Sequence, residues 1–125
     1  MVRFNILLGK EDYPAAYQLA ARISEAHQEN AMLQNELAWQ IATGEGIQDR
    51  DLNLAETIAH RADKAAKGQD ANILDTLARV MFMQGKKEDA IMLQAKALSL
   101  ADSGNKAQLQ KTLESYQKGE LTKAN

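Results

Sequence analysis

The chain's only imidazoles are His27 and His60, so acid–base or metal chemistry would have to be built around them. Neither has a second histidine or a cluster of acids at ligand spacing, and Ser24 stands one helical turn before His27 as an ordinary neighbour pair. Both histidines therefore read as surface or edge positions. Glu45, Asp49 and Asp51 flank a glycine stretch that could suggest calcium, but they lack the regular oxygen-ligand spacing of a calcium loop and read as a solvated turn. Gly44-Glu45-Gly46 is too short for a phosphate cradle, since no Lys-Ser/Thr pair follows it and no strand precedes it. The chain has no cysteine, which removes thiol chemistry, disulfides and cysteine-based metal sites together. No nucleophile, base and orienting group can be assembled from what remains, so the sequence predicts no enzyme, no cofactor and no metal site.

The elements that carry these residues are predicted to be helices. A chain of 125 residues suits one domain, large enough to bury about two thirds of the surface that its unfolded form exposes. Hydrophobic residues make up 45% and charged residues 26%, the balance of a folded protein and not of a disordered tail. One proline, two phenylalanines and abundant Ala, Leu, Gln, Glu and Lys favour helix over strand. The net charge of -2, with acids and bases interspersed, argues against a nucleic-acid partner. The apolar run Ile6-Leu7-Leu8 is broken upstream by Asn5 and ends at Gly9-Lys10-Glu11-Asp12, so it is not read as a secretory leader, and no stretch is long enough for membrane insertion.

Breaks at Gly9-Lys10, Glu29-Asn30, Gly44 to Gly46, Lys67 to Asp70, Gly85-Lys86 and Asp102 to Asn105 leave seven pieces with helical periodicity. They run at about Val2 to Leu8, Asp12 to Gln28, Ala31 to Thr43, Asp51 to Ala66, Ala71 to Gln84, Lys87 to Ala101 and Lys106 to Lys118. Pro14 falls in a first turn, where its missing N–H is harmless; Asp51 and Asp70 are placed to cap, and Gly85 to stop a helix in the left-handed conformation. Links this short force neighbouring helices antiparallel. Leu37-Ala38 recurs as Leu77-Ala78, 40 positions on, and Lys64-Ala65 recurs as Lys96-Ala97, 32 positions on. About eight extra residues therefore sit in the earlier unit, in the stretch Gly44 to Arg50. Small residues such as Ala38, Ala78, Ala90 and Ala97 let two helix backbones approach closely.

The unit from Ala71 to Gly104 resembles a tetratricopeptide repeat: Leu74, Leu77-Ala78, Met81, Gln84-Gly85, Ala90-Ile91 and Lys96-Ala97-Leu98 keep that family's order and spacing. It departs from the family at Ala78, Met81, Gln94 and Asp102, where Gly, Tyr, an aromatic and Pro are usual. A narrower set resembles the helical tail of some bacterial thioredoxin-like proteins: Asn35-Glu36-Leu37-Ala38-Trp39, Ile73 to Ala78, Gly85 to Ala90 and Leu113 to Gly119. The resemblance implies an all-α fold of about seven helices, antiparallel hairpins stacked as a short right-handed superhelix, an α–α solenoid. Residues 1–119 would form one domain, with hairpins at about 2–28, 31–66 and 71–102, a capping helix at 106–118 and a polar tail at 120–125. It also implies a fragment or stand-alone relative lacking the redox domain, cytoplasmic as given or periplasmic if cut from an exported protein.

Trp39 follows Ala38 by one position and so points about 100 degrees away from it, toward the surface lined by each hairpin's first helix. In tetratricopeptide arrays that surface is the concave groove, and Asn35, Glu36, Trp39, Asn72, Asp75, Thr76, Arg79 and Met83 fall on it. The other reading of Trp39 packs it beneath the turn Gly44 to Arg50. Met81, Phe82, Met83 and Met92 form a methionine-rich group, either core filler or an adaptable surface. The groove lacks the Lys/Asn/Arg set with which some relatives hold a C-terminal carboxylate. The expected function is a module that binds a protein or peptide on its concave face; the alternative is self-association as a homodimer through the first hairpin, residues 1–23.

Overall fold

The computed structural model describes residues 1–121, so most of the polar tail expected at 120–125 lies outside the described residues. Among these residues the fold is all helix, with no strand. The seven helices are α1 (Val2–Gly9), α2 (Tyr13–Ala26), α3 (Ala31–Thr43), α4 (Leu52–Ala65), α5 (Ala71–Met83), α6 (Lys87–Leu100) and α7 (Lys106–Gln117).

Local chemistry sets most of their limits. Asp12, Asn30, Asp51 and Asp70 each accept a backbone N–H of the first turn of α2, α3, α4 and α5, satisfying a donor that a helix start leaves orphaned. Pro14 lies in the first turn of α2. Past the end of α5, Gly85 has φ of 85°, a left-handed turn that a side chain would strain, and Lys86 N–H reaches back to the Met81 carbonyl.

The helices pack in sequence order: α1 on α2, α3 on α4, α5 on α6 and α6 on α7. Further contacts join α4 to α5 and α3 to α5, while α2 meets α3 and α4 only sparsely. Ala38, Ala59, Ala78, Ala90 and Ala97 are fully buried, the small residues at which neighbouring helices come together. The main core runs from Phe4 through Leu37, Ile41, Ile58 and Leu77 to Tyr116, and a smaller cluster of Leu74, Ala97 and Leu109 sits under α6 and α7.

The long link between α3 and α4 is pinned at several points. Arg50 donates from Nη1 to the Ile41 carbonyl at 2.9 Å and from Nη2 to the Gly44 carbonyl at 2.8 Å, taking up acceptors that the end of α3 leaves free. The Tyr17 hydroxyl donates to the Asp49 carbonyl, and the Tyr13 hydroxyl accepts the Gln48 N–H at 3.0 Å. Gly44 has to be glycine: an added Cβ would stand 2.7 Å from both the Gln40 carbonyl oxygen and Ile47 Cδ1.

Candidate functional site

The residues first considered for chemistry do not come together. His27 is exposed and ends α2, while exposed His60 faces Glu56 at 3.5 Å. Ser24 is fully buried and spends its hydroxyl elsewhere, donating to Gln34 Oε1 at 2.5 Å and accepting from Arg61 Nη1 at 2.9 Å. Glu45 and Asp49 point into solvent and Asp51 is a helix cap. Among the described residues no three His, Cys, Asp or Glu side chains gather as a metal site would require, and no helix is long and apolar enough to cross a membrane. The methionine-rich group divides: Met81 is core, Phe82 and Met83 are half-buried, and Met92 stands 71% exposed on α6.

A groove does form between the first halves of α3 and α5. It encloses about 720 Å³, and Asn35, Glu36, Trp39 and Asn72 line it together with Met32, Leu33 and Ile73. Met32 is 82% exposed on its rim. Trp39 is half-buried in this wall, while tyrosines and Arg50 hold the Gly44 to Arg50 turn, so the indole belongs to the groove.

Arg79 of α5 places its guanidinium over the Trp39 ring, 5.4 Å from the centroid, which ties α3 to α5 through a cation–π contact. The side chain is only 6% exposed, and the ion pairs among the described residues all join Glu56 to His60 or Lys86, so Arg79 has none. One turn earlier, half-buried Asp75 accepts from Gln94 Nε2 at 2.9 Å. Burial raises the Asp75 carboxyl above its usual range, against the opposing pull of Gln94 and of the Arg79 charge. Gln94 is fully buried and also donates to the Leu109 carbonyl at 3.3 Å, joining α6 to α7.

Four of the expected groove residues lie outside its lining: Asp75 and Arg79, engaged as above, and Thr76 and Met83. Thr76 is buried and its hydroxyl bonds the Asn72 carbonyl at 3.1 Å; Met83 is half-buried against the main core. α5 is the central helix, touched by α3, α4 and α6, and so keeps a narrower open face than a peripheral helix would. The residues that sequence reasoning passed over are Gln34, Ser24, Arg61 and Gln94. Their signal was phase: Gln34 keeps helical spacing with Leu37, Ala38 and Ile41, and Gln94 with Ala90 and Ala97, which places each amide on the buried stripe.

Tyr116 of α7 stacks on Phe82, ring centroids 4.5 Å apart, and its buried hydroxyl has no partner among the described residues. Burial pushes the phenol up to about 12. In the unfolded chain the phenol ionises near 10, so between about pH 10 and 12 the unfolded state binds fewer protons and stability falls with rising pH, by up to roughly 1.4 kcal/mol per unit. Tyr116→Phe should remove that component of the alkaline loss. At pH 7 it should leave stability unchanged or raise it by up to about 1 kcal/mol, because it deletes a buried hydroxyl that bonds nothing. Urea denaturation of both proteins at pH 7, 10 and 11.5 reads this, and a loss above about 1 kcal/mol at pH 7 would mean that the hydroxyl has a partner.

Compared with family models, curated proteins and solved structures, the chain matches none.

Proposed function

We propose that this chain is a non-catalytic, tetratricopeptide-like array that receives a segment of another protein in the groove between α3 and α5. The observation that carries the reading is the groove itself, a concave apolar wall around half-buried Trp39 rimmed by amides and acids. The array part of the reading is supported by contact order: the helix contacts described run between helices one or two places apart in the chain, as in stacked hairpins. The repeat offset supports it as well. Trp39 and Arg79 are 40 positions apart, the spacing of Leu37 and Leu77, so they occupy matching places in successive units and meet across α3 and α5. A role as the accessory tail of a thioredoxin-like protein rests on the sequence resemblance alone.

Selection of a displayed library of random dodecapeptides tests the reading, because Trp39 is the only tryptophan and reports directly. Enriched peptides should change its emission and lose at least about tenfold in affinity against Trp39→Ala, the loss of about 1.4 kcal/mol or more expected for an aromatic anchor. They should bind Met92→Ala, on α6, unchanged. Peptides that bind without disturbing Trp39 would reject the groove. A second reading, self-association through α1, is favoured by Val2 and Ile6, which are 74% and 50% exposed. On that reading Ile6→Glu lowers the sedimenting mass while Trp39→Ala leaves it unchanged.

A further inference from the structure

The groove is chemically one-sided, and that asymmetry identifies the kind of segment it fits. Two acids line it, Glu36 and Asp70, and no cation does; every other lining residue is an amide, an aliphatic, Met32 or Trp39. Glu36 is exposed and has no ion pair among the described residues. Asp70 caps α5 through Oδ1, accepting from the Asn72 and Ile73 N–H groups, which leaves Oδ2 open. Asn35 Oδ1 is a buried acceptor with no partner. The helix starts here are already answered, α3 by Asn30 and α5 by Asp70, so they offer an incoming anion little. Arg79 lies outside the lining, engaged on the Trp39 ring with Asp75 one turn away. The groove lining thus carries negative charge with no cation to answer it.

On the premise that this groove receives a protein segment, we propose that the segment carries a lysine or arginine beside a large apolar side chain, with Glu36 as the residue that reads the charge. The apolar group settles between Met32 and Trp39, and the cation meets Glu36 and Asp70. An acidic segment meets like charge in the same place and is turned away.

Three acetylated, amidated decapeptides test it, sharing two leucines and differing only at three positions, which are all lysine, all glutamine or all glutamate. Trp39 emission is followed at low salt and again at 0.5 M salt. The lysine peptide should bind at least about fivefold tighter than the glutamate peptide, a gap that corresponds to about 1 kcal/mol and narrows as salt screens it. Glu36→Gln should bring the lysine peptide close to the glutamine peptide. Equal binding of all three, or tighter binding of the glutamate peptide, overturns the charge preference and leaves the groove standing. Binding of none, with Trp39 emission unmoved, overturns the preference and the groove together.

Discussion

Phe4→Ala should release α1 as a unit, with a local cost of about 4 kcal/mol, while the rest of the fold stays protected. Phe4 is fully buried in the main core and is the only buried residue of an eight-residue helix. That helix has no side-chain cap; Val2 and Ile6 face solvent, and Leu7 and Leu8 are only partly buried against the core. A helix so short is unstable alone, because the cost of starting it is spread over too few hydrogen bonds. Its stability therefore comes from docking on α2 and the core, where Phe4 is the one fully buried side chain and Met1, Leu7 and Leu8 add partial contacts. Removing that ring takes away the transfer energy of a phenyl group and leaves a cavity, which lies at the edge and is relieved by undocking the helix. The global cost is thus capped by whatever α1 contributes. Hydrogen exchange reads the difference: amides from Asn5 to Lys10 should lose protection while those of α3 to α6 keep it. Retained protection in α1 would show that other contacts hold it, and a uniform loss would show that α1 unfolds only with the whole.

Gln34→Met should cost about 3 kcal/mol although the shape of the side chain is nearly kept. The fully buried amide donates to the Ser24 carbonyl at 2.8 Å and the His27 carbonyl at 2.7 Å, and accepts from the Ser24 hydroxyl at 2.5 Å. Each carbonyl also takes one local backbone N–H, His27 N–H on Ser24 at 3.3 Å and Asn30 N–H on His27 at 3.0 Å, so the amide supplies a second donor to each, and α2 touches α3 at few other points. The thioether supplies neither donor nor strong acceptor, so two buried hydrogen bonds to carbonyls are lost, the buried Ser24 hydroxyl loses its acceptor and the Arg61 to Ser24 contact loses its anchor. Apolar burial alone would make the exchange neutral or stabilising, which separates the two accounts cleanly. A chemical denaturation midpoint lowered at constant slope is the expected readout; a change within 1 kcal/mol would mean that water or a shifted backbone replaces the amide.

Helix positions were legible because their signals are local. Ala31–Thr43 follows directly from its breaks, and the limits of the other helices depart from the sequence reading by one or two residues, since Asp12, Asp51, Asp70 and Gly85 act on their own neighbours. The groove face was partly legible, because the turn from Ala38 to Trp39 is fixed by helical geometry. The sequence did not show that α5 would be enclosed on several sides, which takes Asp75, Thr76, Arg79 and Met83 out of the groove lining. Nor did it show that two glutamines, ordinary surface residues on a helix, would sit buried between helices. Their partners are carbonyls at the ends of other elements, and a backbone carbonyl leaves no mark in a sequence. The pairing of Trp39 with Arg79 does leave a mark, because both stand two positions beyond Leu37 and Leu77 and share their 40-residue offset.

The most direct test is a nitrogen-15 correlation spectrum of the chain titrated with a peptide selected for binding. The groove account predicts that the Trp39 indole N–H moves furthest, followed by backbone amides of α3 and α5 around Glu36 and Asn72, with α4 and α6 nearly still. Shifts gathered on α1 or on α4 and α6, with the indole signal fixed, would contradict it.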